Sequence, residues 1–473
     1  MIESSHLPGS LYYFILKSRG VVMTEQHRYL PATEADRTEM LKTIGVESIN
    51  DLFSDIPVTT RATHEKKIDL AEPLSELELI KHMHSLSELN KTASSSPYFL
   101  GAGTYDHFVP SVVNHVTLKS EFMTAYTPYQ PEASQGELQA LFEFQTMICE
   151  LTGMDVSNSS LYDGFTSLGE ACNLATAVTK KQTILLSDAL HPQAKEVVDT
   201  YAFGMEYKIE TIGLKQEITD LDQLKSVLNE QTAAVVVQYP NFFGSVEDLK
   251  EIKEILTASN ALLIVVANPL ALAKLEAPGN IGADIVVGDM QPLGLPMSYG
   301  GPHCGYFTVK SKYMRKVPSR IVGETVDIEG KRGFVMTLQT REQHIRREKA
   351  TSNMSSNQAL NALASSVFMS ALGKVGVQEM AQQNIDKTHY LASKLKEAGF
   401  ELFNHSAFFN EFVVKLSKPV SQVNNLLFKK GFIGGYDVSA LINVEYAMLL
   451  CATEKRTKDE MDQFVKALVE VVK

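Results

Sequence analysis

The stretch Ala261-Leu-Leu-Ile-Val-Val266 is an unbroken apolar run that follows a helical pattern over residues 246–259. Runs of aliphatic and β-branched residues bounded by turns are typical of strands buried on both faces, and helices between such strands form the crossovers of a parallel sheet. Comparable short runs occur at 183–186, 233–238, 284–287 and 306–309. We therefore predict a large α/β domain over residues 91–340, with a mostly parallel sheet of six or seven strands.

The segments on either side of this domain have different patterns. Thr33-Glu-Ala-Asp36 and Ser75-Glu-Leu-Glu78 have the spacing of capping boxes at helix starts, which predicts an N-terminal helical arm over residues 23–90. After Lys349, two long helical patterns, two apolar strands and a last helix predict a small C-terminal α+β domain over residues 341–473. A well-formed start at Met23 suggests that residues 1–22 are an upstream-start extension.

The composition excludes several classes of protein. Of the 473 residues, 44% are hydrophobic and 21% are charged, which is typical of a soluble globular chain. The net charge of −12 argues against nucleic acid as a partner, because phosphates need a basic surface. No apolar run approaches the roughly 20 residues of a membrane-spanning helix, so we expect no membrane association. The 4 cysteines are far apart and form no C-x-x-C pair, which favours reduced thiols and a cytoplasmic location.

Two segments are difficult to explain as scaffolding alone. The run Tyr126-Thr-Pro-Tyr-Gln-Pro-Glu-Ala-Ser-Gln-Gly136 would hold polar side chains rigidly before an amphipathic helix, although it could also be a structural turn. The Gly/Pro-rich segment from Gly288 to Pro302 directly follows a buried strand, where ligands bind in parallel sheets. The sequence has no P-loop and no dinucleotide fingerprint, and the adjacent pair His303-Cys304 is too little to indicate a metal site.

These two segments, together with the run from Leu338 to Asn353, closely resemble the P-protein family of the glycine cleavage system, glycine dehydrogenase (decarboxylating). The chain is most similar to the alpha subunits of the two-subunit bacterial form, from about Met23 to the C-terminus. The resemblance implies an aspartate-aminotransferase-like (fold type I) large domain with a seven-stranded sheet and a smaller second domain. It also implies the cofactor pyridoxal phosphate (PLP), which agrees with the α/β pattern described above.

The chain departs from the family at the residues that hold PLP. PLP chemistry needs a lysine that forms a Schiff base with the cofactor and a carboxylate that keeps the ring nitrogen protonated. In the family the lysine lies in a loop after a buried strand, but the matching loop here contains no lysine and has Gln291 or Pro292 at that place. Val265 stands where the aspartate is expected, and the nearest lysines, Lys274 and Lys310, are out of register. The resemblance therefore implies a chain without its own cofactor chemistry.

In enzymes of this fold each protomer lends residues to the site of its neighbour. The resemblance thus implies a heteromeric enzyme in which a homologous beta subunit binds PLP, and in which this chain is inactive alone. Glycine would be decarboxylated and its aminomethyl group passed to the lipoyl arm of the H-protein, with the T- and L-proteins as indirect partners. The residues expected to complete the shared pocket are Tyr126, Thr127, Tyr129, Gln130, Glu132 and Gln135, with Tyr98, Tyr105 and His191 as secondary candidates.

Alternatives remain open at this point. The chain could be a non-catalytic subunit that only docks the H-protein, or a self-sufficient PLP enzyme whose lysine lies elsewhere. His191 resembles the position where family members stack an imidazole on PLP, but without the lysine it could be purely structural. Arg341, Arg346 and Arg347 form either a salt-bridged helix entry or the wall of a channel for the lipoyl arm.

Overall fold

The computed structural model describes residues 31–61, 74–339, 342–350, 352, 354 and 357–472. These residues belong to two compact units, Met1–Leu89 and Asn90–Lys473. The proposed extension over residues 1–22 and the side chain of Arg341 lie outside the described residues. The division of the chain into an arm, a large domain and a small domain stays a prediction.

The first unit contains two helices that begin at the predicted capping boxes. Helix α1 is Glu34–Ile44 and helix α2 is Glu76–Ser87. In each helix, the hydroxyl group of the N-cap residue accepts the backbone N–H of the third helical residue. The carboxylate of that third residue accepts the backbone N–H of the N-cap residue, so donors that the helix leaves unpaired are satisfied. Neither helix has a buried residue, so the apolar side chains of these helices contribute nothing to a core.

The second unit is built on a seven-stranded sheet. Its strands are β1 Val156–Ser157, β2 Thr183–Ser187, β3 Lys208–Ile212, β6 Thr232–Tyr239, β7 Leu262–Ala267, β8 Ile285–Asp289 and β9 Gly305–Val309. Their order is β1-β9-β8-β7-β6-β2-β3, in which β9 alone runs against the other six. This architecture confirms the predicted mostly parallel α/β sheet. The remaining strands are β4 Leu214–Lys215, β5 Ile218–Thr219, β10 Ile321–Val326, β11 Arg332–Thr337, β12 Glu411–Lys415, β13 Tyr436–Asp437 and β14 Ala447–Cys451.

Helices cover both faces of this sheet. In the second unit, the helices before residue 210 are α3 Ser111–Thr117, α4 Ser120–Met123, α5 Gln135–Thr152, α6 Gly164–Thr179 and α7 Pro192–Met205. Those that follow are α8 Leu221–Val227, α9 Leu249–Leu256, α10 Pro278–Ile281, α11 Gln343–Arg346, α12 Ala359–Glu397, α13 Val420–Lys429, α14 Ser439–Ile442 and α15 Lys458–Val472. Short 3-10 turns lie at Ile49–Phe53, Ala271–Ala273, Ser298–Gly300, Ser311–Lys316 and Arg347–Lys349.

The central strands divide their side chains between two cores. In β7, Leu263 and Val265 lie in one apolar cluster while Leu262 and Ile264 lie in the cluster on the opposite face. This alternation follows from the two-residue period of a strand, and it explains why an unbroken apolar run is needed at the centre of a covered sheet.

A second sheet and a long helix form the C-terminal part. The strand order β12-β14-β13 is antiparallel, and α12 and α15 supply buried residues to the cluster that covers it. Helix α12 is broken at Gly373, whose φ is 62° and ψ is −179°, which agrees with the two separate helical patterns predicted there. Helix α15 begins after Thr457, whose hydroxyl group accepts the N–H of Glu460.

By length and composition, α12 is the helix within the described ranges that could cross a membrane, which the search for apolar runs did not anticipate. Core helices of soluble proteins can be equally long and apolar. The side chains of Phe368 and Leu391 are fully buried in two apolar clusters, and the helix packs against α3, α5 and α15. Its apolar character is accounted for by this packing.

Candidate functional site

The candidate site lies at the carboxyl edge of the sheet. Strands β2 and β6 are neighbours, and the chain leaves β2 toward β3 on one side before it returns to β6 on the other. Such a switch point opens a crevice in a parallel sheet. A cavity of about 590 Å³ lies here, and it is lined by Tyr98, His191 and, from the predicted Gly288–Pro302 segment, Met297 and Tyr299.

His191 is the N-cap of α7 and is held from several sides. Its ring Nδ1 accepts the N–H of Gln193 at 3.2 Å, so the proton is on Nε2, which donates to the carbonyl of Ala102 at 3.1 Å. The ring lies 4.7 Å from the rings of both Phe165 and Phe242. Burial lowers the pKa of His191 to about 4, so the imidazole is neutral at physiological pH and both of its nitrogens have partners in this chain.

Gln291 is fully buried just beyond the end of β8. Its Oε1 accepts the backbone N–H of Tyr105 at 2.9 Å, and its Nε2 donates to the carbonyl of Tyr105 at 2.8 Å and to that of Leu295 at 3.0 Å. Both amide protons and the amide oxygen are therefore used within the protein. This residue stands where the resemblance expects the lysine, and its side chain is a structural bridge to another part of the chain.

The other positions expected to hold PLP are also occupied by groups of a different kind. Val265 is fully buried in β7 between Val237 of β6 and Val286 of β8, in register with both. Lys310 donates to the carbonyl of Gly282 at 2.9 Å, in the turn before β8 and therefore at the opposite edge of the sheet. The side chains at 265 and 291 offer neither a carboxylate nor an amine. They do not fit a cofactor that is held covalently by this chain.

Lysine is nevertheless present at the rim of the cavity. Lys91 is among its lining residues, and its side chain is exposed. Schiff-base lysines are usually activated in a desolvated pocket, whereas the side chain of Lys91 is exposed. Among the described residues that line this cavity, Lys91 is the lysine that a self-sufficient PLP enzyme could use.

The predicted Tyr126–Gly136 segment lies elsewhere on the molecule; its last two residues begin α5, and the part up to Gln135 is called the Tyr126–Gln135 loop below. Tyr126 is 91% exposed, and Tyr129 lines a separate cavity of about 280 Å³ together with Arg320 and His344. The ring of Tyr129 lies 5.7 Å from that of His344 and 5.6 Å from the guanidinium carbon of Arg320. The structure therefore brings Tyr98 and His191 together but places Tyr129 in another cavity.

The remaining predicted residues of this loop have simple surroundings. Thr127 accepts the N–H of Tyr129 at 2.8 Å through its carbonyl, and the side chains of Gln130 and Glu132 are exposed. Gln135 differs, because its amide bridges to β11: Oε1 accepts the N–H of Phe334 and Nε2 donates to the carbonyl of Phe334, both at 2.8 Å. The loop thus presents polar groups to solvent, whereas Gln135 fastens its end to a hairpin.

Two carboxylates near the site were not anticipated as site residues. Glu411, in β12, is buried and accepts the N–H of Ala102 at 2.7 Å and the hydroxyl of Tyr105 at 2.8 Å. Burial raises the pKa of Glu411 to about 7, against these two hydrogen bonds, which lower it. Asp289, at the end of β8, accepts the N–H of Gly164 at 3.0 Å. The one signal of Glu411 in the sequence is a charged residue that opens an apolar strand.

The adjacent pair His303-Cys304 lies near the carboxylate of Asp289. The ring Nδ1 of His303 lies 3.5 Å from the carboxylate of Asp289, and Cys304 is buried beside it. Over the described ranges of the chain, no group of three or more His, Cys, Asp or Glu side chains is arranged to hold a metal ion.

Comparison with known proteins gives one consistent result. The family model described as glycine cleavage system P-protein matches residues 27–468. A relative from Anoxybacillus flavithermus is 56% identical over 93% of this chain and 98% of its own length, and one from Listeria welshimeri is 56% identical over 94% and 99%. Both are named "Probable glycine dehydrogenase (decarboxylating) subunit 1".

Solved structures agree with these relatives. A glycine decarboxylase (P-protein) of the glycine cleavage system in inhibitor-bound form has a TM-score of 0.85 at 42% identity, over 94% of this chain and 100% of its own. A NifS-like protein has a TM-score of 0.60 at 15% identity and covers 80% of this chain and 99% of its own, which shows the shared fold alone. Like these structures, the chain has the fold type I architecture of PLP-dependent enzymes. The chain belongs to the glycine cleavage system P-protein family.

Proposed function

We propose that this chain is the alpha subunit of a heteromeric glycine dehydrogenase (decarboxylating) whose homologous beta subunit holds PLP. When bound in the partner, the cofactor would act as the electron sink for loss of CO2 from glycine. The aminomethyl group would then pass to the lipoyl arm of the H-protein. The T- and L-proteins would act in the same cycle without direct contact, and the complex would be cytoplasmic.

The observation that carries this proposal is the hydrogen bonding of the Gln291 side chain. A lysine serves PLP through a free amine that is directed at the cofactor. The amide at position 291 instead uses all of its hydrogen-bonding groups on the backbone of Tyr105 and Leu295. Together with the apolar surroundings of Val265, this favours a division of labour in which covalent cofactor chemistry belongs to the partner and the chain alone is inactive.

The contribution of this chain would be to complete the partner's pocket. The Tyr126–Gln135 loop suits that role because its polar side chains project from a proline-stiffened backbone, with Tyr126 91% exposed. Positioned donors and rings of this kind can bind and orient a small zwitterion and exclude water around it. Tyr129, Gln130 and Glu132 are the best candidates for such contacts. Tyr98 and His191, in the other cavity, remain secondary candidates.

Co-expression tests the proposal directly. The full chain is purified alone, the candidate beta chain alone, and both together, and each preparation is assayed for exchange of the glycine carboxyl group with labelled CO2. We expect exchange only in the mixture, and we expect borohydride to trap PLP on the beta chain alone. Trapping of PLP on any lysine of this chain, with Lys91 the first to inspect, would establish a self-sufficient enzyme instead.

A second arm separates pocket completion from docking of the H-protein. Tyr129→Phe and Glu132→Gln are introduced into the reconstituted complex, and both exchange activity and binding of the lipoylated carrier are measured. Loss of exchange with intact carrier binding supports a shared pocket. Intact exchange with loss of carrier binding would show that the chain is a docking subunit, and the same assay applied to Arg346→Gln tests the proposed lipoyl channel.

A further inference from the structure

The segment Gly101–Tyr105 contacts both of the side chains that the resemblance places around the cofactor. His191 donates to the carbonyl of Ala102 at 3.1 Å, and Gln291 pairs with the N–H and the carbonyl of Tyr105 at 2.9 and 2.8 Å. A Cβ atom at Gly103 would lie 3.0 Å from the imidazole of His191. The segment therefore packs directly against the histidine on one side and the glutamine on the other.

A third buried side chain holds the same segment from the C-terminal sheet. Glu411 accepts the N–H of Ala102 and the hydroxyl of Tyr105. Gly101, Ala102 and Gly103 all have left-handed backbones, with φ of 60°, 57° and 92°. Alanine rarely adopts this conformation, so contacts elsewhere must stabilise it. Gln291, His191 and Glu411 supply those contacts.

The segment also separates residue 291 from the cavity. Gly101, Ala102 and Thr104 line the cavity of about 590 Å³, whereas Gln291 is fully buried and does not reach it. The segment thus lies between residue 291 and the open space. A longer side chain at this position would meet the backbone of Tyr105 before it met a ligand in the cavity.

We propose that the Gly101–Tyr105 segment closes residue 291 off from the cavity, so that no side chain at this position can be joined to PLP there, and that Gln291 is the residue that positions the segment. Covalent attachment of the cofactor is then prevented by a backbone segment as well as by the missing amine. This closure is a property of the chain by itself and does not depend on the identity of the partner. Two explanations for the expected absence of covalently bound PLP can thus be separated. If only the amine is missing, restoring the amine should restore PLP binding; if the segment also closes the position, it should not.

Restoring the amine is therefore the first test. Gln291→Lys and the double variant Val265→Asp/Gln291→Lys are made in the full chain, incubated with PLP, reduced with borohydride and digested for peptide mapping. Because His191 and Glu411 still hold the segment in these variants, we expect neither visible imine absorption nor a covalent adduct at position 291, as in the wild type. An adduct at position 291 in a folded variant would overturn the proposal.

A misfolded variant would also form no adduct with PLP. A milder substitution therefore tests independently whether Gln291 positions the segment. In Gln291→Leu the amide N–H of Tyr105 loses its acceptor, and we expect its hydrogen exchange to become about tenfold faster or more. The matched control is Gln145→Leu, because Gln145 is also buried and also pairs with both backbone groups of one residue, Val322. Exchange at Tyr105 should be unchanged in the control. Unchanged exchange in Gln291→Leu as well would overturn the positioning role.

Failure of the closed segment and failure of the proposed function give different results. If wild-type chain forms an adduct with PLP, the proposed division of labour between two subunits fails. If only the variants at position 291 do so, the closed segment is refuted while the heteromeric enzyme stands.

Discussion

The polar side chains around the cavity beside His191 and those of the Tyr126–Gln135 loop have opposite surroundings: the first are hydrogen-bonded within the chain, and most of the second are exposed to solvent. Around the cavity, the side chains of His191, Gln291 and Glu411 are directed at backbone groups of one short segment. In the loop, Tyr126 is 91% exposed and most of the polar side chains point to solvent. A region whose hydrogen bonds are already made has little left for a ligand, whereas an exposed, stiffened loop is free to meet a partner.

Matched glycines give the largest expected difference between these regions. Gly101 has φ of 60°, and a Cβ atom there would lie 2.5 Å from both the Cβ of Cys451 and a carboxylate oxygen of Glu411. Gly101→Ala should therefore lower the free energy of unfolding by about 2–4 kcal/mol. At Gly136, near the start of α5, an added Cβ atom would have nothing within 4 Å, and Gly136→Ala should be neutral or stabilising by up to about 1 kcal/mol.

Urea unfolding of both glycine variants measures this contrast. Equal effects at the two positions would mean that the segment beside the cavity is no more constrained than the helix start that directly follows the loop, and the contrast would fail.

The pH dependence of stability gives the next effect. The pKa of Glu411 is raised to about 7 by burial, above the ordinary value of 4.5, so the folded state binds its proton more tightly than the unfolded state does. Its contribution to stability is complete below about pH 4.5 and is lost as the pH rises through 7. Glu411→Gln stays neutral and keeps a donor and an acceptor for Tyr105 and Ala102.

We therefore expect the wild type to lose on the order of 2 kcal/mol relative to Glu411→Gln between pH 5 and pH 8. Thermal unfolding of both proteins across this range measures the difference. A difference that does not change with pH would show that Glu411 does not titrate there, and the segment would then be held by a permanent carboxylate.

A comparison of two glutamines sharpens the contrast between buried and exposed bridges. Gln145 is buried and pairs with both backbone groups of Val322, whereas Gln135 is exposed and pairs in the same way with Phe334. Removing the buried amide leaves two desolvated groups unpaired, so Gln145→Leu should cost about 2 kcal/mol. Gln135→Leu should cost about 1 kcal/mol or less, because water can replace its amide. The denaturant midpoints of the two variants measure these costs. A larger loss of stability in Gln135→Leu than in Gln145→Leu would contradict the exposure of the loop.

Much of the sheet could be predicted because burial on both faces leaves a direct mark on the sequence. The apolar runs at 233–238 and 261–266 became β6 and β7 with ends shifted by one residue. The strand β3, Lys208–Ile212, left no such mark because it is an edge strand with exposed polar residues. The hairpin of β10 and β11 was missed for a related reason, since only part of it is buried.

The position of the site in the sequence could be predicted, but the long-range hydrogen bonds of its side chains could not. Gln291 could be placed from the resemblance, but its bridge to Tyr105 spans 186 residues and leaves no local pattern. Glu411 opens a short apolar run, and its role depends on burial that only the assembled sheets create. The residue at the lysine position could thus be identified from local sequence, whereas the segment that covers it required the tertiary structure.

The smallest expected effect on stability belongs to the loop itself. Tyr126→Ala removes a side chain that is 91% exposed, so the free energy of unfolding should change by less than about 0.5 kcal/mol. If the loop completes the pocket of the partner, glycine exchange by the reconstituted complex should nevertheless fall about tenfold or more, because a positioning contact is lost. Phe203→Ala is the matched control, since Phe203 is equally exposed at the end of α7. Loss of exchange in both variants would indicate a general weakening of assembly, whereas loss in Tyr126→Ala alone identifies the open loop as the part of this chain that takes part in catalysis.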